Sequence, residues 1–475
     1  METTASGGLA VQPKFQRRRL SRRRFLSASL CAGGAGLGLG DILRLKAQAA
    51  QSGRAVPDTS VIQIWLGGGP SQFETFDPKP NAPIEIRGPY QAIQSKLPGA
   101  LVCEKMPLTA QVLDKTALVR TFTHSFDDHF GVTRWCMQGR REQDNRDGYP
   151  ALGAIASRFR GTRQPGMPPY VVLSEESMNH FELFSVMSPG YLGVGHSAFT
   201  VMQDPYKPEF QVDRLKRSTD SLELANDMTL DRIDDRRALL TGLDRLPRQL
   251  ESNQVQDELD PFTKLALEMI TSAKARRAFD LHEESPATHS RYGSHRWGQM
   301  ALLARRLVEA GVTFVTLNTG PDCLRWDWHV SITREMREET GPAGPLVGAE
   351  PNVPPLDQAL SALIADLSQR DQCRNVLLIV WGEFGRTPRI NPTGGREHWP
   401  PLGSVLLSGA GLKMGQIIGR SDANGAQPAE RPVSPSDLLA TLYRHLGIDP
   451  GEQLVNLQGR PIALLPDGKP LGELF

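Results

Sequence analysis

An α/β fold, with one sheet covered by helices on both faces, is the architecture this 475-residue sequence predicts. Two patterns carry that reading. Short apolar, β-branched runs recur at residues 61–66, 170–173, 312–317, 376–381 and 404–407, each too short for a helix and bounded by turn residues. Between them lie segments with apolar residues at helical spacing. Residues 299–309 run to Gly311, residues 356–367 precede the strand at Val376, and residues 436–446 have Ser434 or Ser436 to cap them and Gly447 to stop them. Strands alternating with helices build a sheet with two covered faces.

The remaining organisation follows from composition. With 39% hydrophobic and 23% charged residues the chain is ordinary globular protein, which excludes disorder, collagen and an integral membrane protein. Residues 205–290 lose the strand signal and become rich in Arg, Asp, Glu and Leu, as expected of a helical insertion. The totals of 54 basic and 53 acidic residues conceal an asymmetry. Residues 1–46 hold nine basic and two acidic residues, so the rest has 45 and 51, a net charge of about −6. No basic surface for nucleic acid is expected.

The basic head reads as an export signal. Ser21-Arg22-Arg23-Arg24-Phe25-Leu26 is a twin-arginine pattern, followed by a weakly apolar stretch and by Ala47-Gln48-Ala49, small residues that suit cleavage. Asp41 and the glycines between Ala32 and Gly40 make a membrane span a poor alternative, and Leu30 is too large for lipidation at Cys31. The expectation is a signal over residues 1–50, passage through the twin-arginine translocase, and a periplasmic or secreted domain over 51–475 without a permanent anchor. Cys103, Cys136, Cys323 and Cys373 would remain, with three complete pairings open and no Cys-x-x-Cys to bind zinc.

In open α/β sheets, sites form at the carboxyl ends of strands, and four segments put polar residues there. Gly67-Gly68-Gly69-Pro70 leads to Glu74 and Asp77, either of which ligates a metal or tightens the turn before Pro78. Thr123 to Gly131 carries His124, Asp127, Asp128 and His129 ahead of a helix expected to end at Gly139. Such an N-terminus suits an anion, unless Asp127 or Asp128 simply caps it. Asp327 and His329, two apart in an extended segment, point one way and reach one ion, with Trp326 and Trp328 as pocket walls. Glu383 and Arg386 follow the strand ending at Trp381, with Arg386 suited to an anion, and His398 follows a glycine-rich loop. Gly-x-Ser-x-Gly and His-Glu-x-x-His are both absent.

Taken together these strings resemble a secreted bacterial family, "domain of unknown function 1501", which is sulfatase-like and placed in the alkaline phosphatase superfamily. The resemblance rests on Arg-Arg-x-Phe-Leu, Gly68-Gly69-Pro70-Ser71 through Pro80, residues 303–312, Asp327 with His329, Gly382-Glu383-Phe384-Gly385-Arg386-Thr387-Pro388, and Gly395-Arg396-Glu397-His398-Trp399. It implies a central, mostly parallel sheet with divalent metal at the strand ends. Asp327, His329 and His398 would form one metal site, Glu383 would stand where the superfamily has an Asp-His pair, and Glu74 replaces the family's usual Asp. No Cys/Ser-x-Pro-x-Arg signature is present, and the position of a sulfatase nucleophile falls near His129, so formylglycine chemistry is not expected. The implied activity is hydrolysis of a phosphate or sulfate ester, on a small anionic ester or a glycan, by metal-activated water. Zinc, manganese or calcium would serve, with Asp128, His129 and Arg386 as catalytic groups. Thr123, Ser125 and Thr133 stay open as nucleophiles, and a non-catalytic binding protein on the same fold is the alternative.

Overall fold

Among the described residues, eight strands form one sheet: β1 (Ser60–Trp65), β2 (Thr116–Phe122), β3 (Tyr170–Glu175), β4 (Phe199–Gln203), β5 (Phe314–Asn318), β6 (Val376–Trp381), β7 (Gly403–Gly409) and β8 (Gln416–Ile418). The computed structural model describes residues 58–141, 148–175, 186–203, 268–269, 272–319, 325–333 and 348–475. The twin-arginine leader and most of the 205–290 insertion lie outside them. The strand order is β8-β2-β7-β6-β1-β5-β3-β4. Only β7 runs antiparallel to its neighbours β2 and β6, so the sheet is mostly parallel.

All six residues of β1 are buried, which is why its sequence is a continuous apolar run and does not alternate. Its side chains nevertheless part to two cores. Ile62 and Ile64 join one cluster, together with helices α5 (Arg296–Ala310) and α6 (Ala349–Gln369). Val61 and Trp65 join the other, with α1 (His129–Gln138), α2 (Leu152–Arg160) and α7 (Pro435–Leu446). The two shorter helices α3 (Ala273–Phe279) and α4 (Pro286–Tyr292) pack with the first group. They are the described part of the expected insertion.

The expected helices are present with altered limits. Of the two candidate caps for α7, Ser434 is the one used, in a reciprocal capping box with Asp437, and Gly447 ends the helix in the left-handed region. Helix α6 begins seven residues before Leu356 and carries Pro354 and Pro355 within it. Strands β2, β4 and β8 were not expected: β8 is only three residues long, and β2 carries Arg120 in mid-strand. Cys103, Cys136 and Cys373 are buried free thiols, so no disulfide joins them, and Cys323 lies outside the described residues. No described helix is long and apolar enough to cross a membrane.

Burial also sets a pH dependence. His445 lies on α7 with Nε2 3.0 Å from the Ser60 carbonyl, and burial pushes it down to about 4 from 6.5. Between those values the unfolded chain binds a proton that the folded chain refuses, so stability falls as pH drops from about 6.5 to 4. This one group costs up to about 3 kcal/mol at the lower limit and nothing above the upper. Urea unfolding of His445→Gln at a series of pH values should show a flatter slope within that window; an unchanged slope would refute the assignment.

Candidate metal centre

Strands β1, β2, β5 and β6 point the same way, so the segments that leave them meet at one edge of the sheet. After β1 the chain turns through Gly68 and Gly69. Gly69 has φ +79°, and a Cβ there would lie 2.5 Å from the Phe384 ring, so only glycine lets the two loops touch. After β6, Gly385 and Arg386 pair antiparallel with Trp399 and His398. The segment following β5 is laced to the 391–398 loop by Arg396 N–H to the Trp328 carbonyl (2.9 Å) and Ile332 N–H to the Gly394 carbonyl (2.8 Å). Gly395 makes that approach feasible, since a Cβ on it would sit 2.2 Å from the His329 carbonyl carbon.

These contacts deliver three imidazoles to one carboxylate. Nε2 of His329, His398 and His129 lie 2.8, 3.2 and 3.4 Å from the oxygens of Asp327. Nε2 of His329 and His398 are 3.0 Å apart. Ligand atoms of His129, Asp327 and His398 all fall within 4.8 Å of one another. A tetrahedron with bonds of ~2.0–2.1 Å has edges of about 3.3 Å, close to these separations.

The outer ring nitrogens fix the tautomers. Nδ1 of His129 faces Glu383 Oε1 (2.7 Å), Nδ1 of His398 faces the Asp127 carbonyl (2.7 Å), and Nδ1 of His329 faces Glu397 Oε2 (2.5 Å). Carbonyl and carboxylate oxygens only accept, so each Nδ1 carries the proton and donates outward. Each Nε2 is then left to face Asp327. His129 Nε2 is buried with no hydrogen-bond partner.

Three lone pairs aimed at a carboxylate require a cation between them. For His129 and His329 a proton supplies it. Burial alone would depress His129, but Asp327 and Glu383 raise it to about 9. The bond to Asp327 likewise raises His329. Burial opposes the Asp327 charge, yet the three imidazoles and Arg386 hold its carboxyl far below the usual carboxylate range.

The other expected site residues are placed differently. The Asp128 carboxylate accepts from Gly131 N–H at 2.6 Å, which is the N-cap alternative and not a catalytic position. Glu74 is no ligand: both of its oxygens are held by the Arg396 guanidinium, and both side chains are buried. Asp77 is tied to Lys79 and Arg120. Arg386 was expected to hold an anion, but it is fully buried, and its donors go to the carbonyls of Gly68, Gly69 and Arg396 and to Asp327 Oδ1 (2.5 Å). Glu383 uses Oε1 for Gly68 N–H (2.7 Å) and His129, while Oε2 has no partner. Its Oε1 meets the outer nitrogen of His129, so it orients that ring.

Trp326 and Trp328 lie in the core, where Trp326 stacks on Trp297 with ring centroids 5.8 Å apart, and do not wall a pocket. Sequence reasoning missed Glu397, although it adjoins His398. His124, weighed together with His129 as a functional candidate, places its Nε2 2.6 Å from the Glu383 carbonyl.

Fold and cluster define an α/β protein with a histidine-aspartate centre at its strand ends. The chain belongs to the family described as protein of unknown function (DUF1501), whose model matches residues 58–475. No curated protein matches it by sequence. Among solved structures it is similar to a protein in the alkaline phosphatase superfamily from Vibrio parahaemolyticus, at 9% identity and TM-score 0.38 over 82% of this chain and 67% of that one. It is also similar to the PsFucS1 sulfatase from Pseudoalteromonas sp., at 11% identity and TM-score 0.36 over 86% and 70%. A third is the phosphonate monoester hydrolase of Agrobacterium radiobacter, at 11% identity and TM-score 0.31 over 87% and 78%.

The reassignment of Glu74 has a direct check. Removing one partner of a buried ion pair strands the other charge, at a cost of about 3–5 kcal/mol. Glu74→Gln should therefore lower the unfolding midpoint while metal content stays at the wild-type level. Loss of metal at unchanged stability would restore Glu74 as a ligand.

Proposed function

We propose that this protein is a metal-dependent hydrolase of phosphate or sulfate esters. The observation that carries the reading is the convergence of Nε2 of His129, His329 and His398 on Asp327, with every Nδ1 turned outward. The residues fit a divalent ion. Three imidazole nitrogens and one carboxylate suit zinc and its transition-metal neighbours, whereas calcium takes six to eight oxygens. Of the three metals expected from sequence, zinc is the one this donor set favours. The ester class rests on the sulfatase-like resemblance of the sequence strings, with a small anionic ester or a sulfated or phosphorylated glycan as substrate.

A divalent ion held by these residues supplies Lewis acidity to an ester oxygen and acidifies a water as the attacking group. The protein's own groups prepare that centre. Asp327 contributes the one carboxylate, held in place by Arg386. Glu383 accepts the His129 Nδ1 proton and so turns Nε2 toward Asp327, where it would meet the ion. Phe384 lies 5.1 Å from the His129 ring and 4.5 Å from the His398 ring, excluding water from that side. Thr133 is buried in α1 and Ser125 is exposed in the preceding loop, and neither is tied to the cluster. We further propose that residues 1–50 direct export through the twin-arginine translocase to the periplasm or beyond, and that 51–475 is the hydrolase domain, with 205–290 as its insertion.

Elemental analysis of the purified protein should find one divalent ion per chain, zinc foremost, lost in His129→Ala and Asp327→Asn variants that still unfold cooperatively. Aryl phosphate and aryl sulfate hydrolysis should fall at least 100-fold in the same variants. A wild type that binds no metal would sink the proposal. Bound metal without turnover of any ester would instead favour the non-catalytic binding protein.

A further inference from the structure

We propose that Glu397 is a positioning residue for the metal centre, acting through His329. The inference rests on the metal reading above. Its carboxylate grips the outer face of the ring, with Oε2 2.5 Å from His329 Nδ1. Nδ1 and Nε2 lie on opposite sides of an imidazole, so Glu397 does not reach an ion bound at Nε2. It decides which nitrogen carries the proton and how the ring is turned.

Glu397 is itself built into place. Oε1 accepts from Asn391 Nδ2 at 2.6 Å, and the Glu397 N–H donates to Thr387 Oγ1 at 3.0 Å. The Thr387 N–H returns a bond to the Glu397 carbonyl at 3.0 Å. Asn391 also holds His329 directly, donating to its carbonyl at 2.9 Å, and Thr393 Oγ1 donates to the same oxygen at 3.0 Å. One loop thus fixes the backbone and the ring of His329 together.

The geometry separates this residue from an ordinary surface ion pair. Its side chain is 54% exposed and that of His329 is 34% exposed. An isolated pair so open contributes little to stability. A carboxylate that sets a ligand's tautomer acts on metal affinity instead, where removing such a partner costs about 10–100-fold. Asp127 does the same for His398 through a backbone carbonyl, and Glu383 for His129 from a buried position. Only the Glu397 arm is both a side chain and open to solvent, so it can be altered without disturbing the core.

The test is a titration of the purified full chain with zinc(II) and cobalt(II) against a competing chelator, on wild type, Glu397→Ala, Glu397→Gln, His329→Ala and the Glu397→Ala/His329→Ala double variant. Glu397→Ala should weaken metal binding about 10–100-fold and change the cobalt(II) visible spectrum, while the unfolding midpoint of the metal-free chain stays put. Glu397→Gln should recover much of the loss, because its amide oxygen still accepts from Nδ1. In the His329→Ala background, Glu397→Ala should cost nothing further, since the two act as one unit. Affinity of Glu397→Ala within twofold of wild type, or additive losses in the double variant, would overturn the inference and leave the metal centre intact. A wild type that binds neither ion overturns both, and is recognised by that alone.

Discussion

The site depends on one buried cation. Arg386 has no exposed side-chain surface, and a guanidinium taken out of water must place its N–H groups on acceptors or pay their desolvation. Its acceptors come from three separate segments: the carbonyls of Gly68 and Gly69 after β1, the carbonyl of Arg396 on the glycine-rich loop, and the carboxylate of Asp327. Burial pulls the guanidinium down and Asp327 counters it, so each charge justifies the other's position. Satisfying this one side chain therefore fixes the spacing of the loops that carry the cluster. Gln72 secures the Arg386 backbone in turn, accepting from its N–H at 2.8 Å and donating to its carbonyl at 2.9 Å.

That role explains why the segments singled out in the sequence meet, while several of their side chains make contacts other than those expected. The strand at 61–66 and the helix at 436–446 were legible because burial on both faces and a capping box leave local marks. Asp327 and His329 were legible as candidates from their two-residue spacing and His398 from the glycine-rich loop before it, and the fold brings the three together. Arg386 and Glu74 were misread because an arginine free to bind an anion and one locked to carbonyls 300 residues away look identical in sequence. Glu383 was misread as a ligand for a related reason. Its Oε1 is committed to His129 Nδ1 and to Gly68 N–H, the latter a contact spanning 315 positions. Asp128 offered two readings from the start, and local geometry matched the cap.

The family strings can now be given physical content. Gly-Gly-Pro-Ser supplies carbonyls for Arg386 and an N–H for Glu383. Gly-Glu-Phe-Gly-Arg supplies the orienting carboxylate, the ring packed on two imidazoles, and the buried cation. Gly-Arg-Glu-His-Trp carries, in consecutive residues, the partner of Glu74, the carboxylate on His329, and an imidazole of the cluster. Such dense assignment leaves little room for substitution in these strings, whereas the helical faces need only apolar residues of suitable size.

Exposure across the cluster runs in one direction. Glu383 is wholly buried, His129 and Asp327 are 12% and 14% exposed, His398 is 22%, His329 34% and Glu397 54%. The centre thus has a rigid, water-poor floor and a solvent-facing rim. A structural metal site is closed, with every position taken by protein. The proposed hydrolase needs one position reachable while its other ligands stay still, and the gradient from buried carboxylate to exposed rim is compatible with that. The imidazole nearest the rim is the one least held by the core. His129 is also packed against Phe384, whereas His329 takes its outward contacts from Glu397 and Asn391.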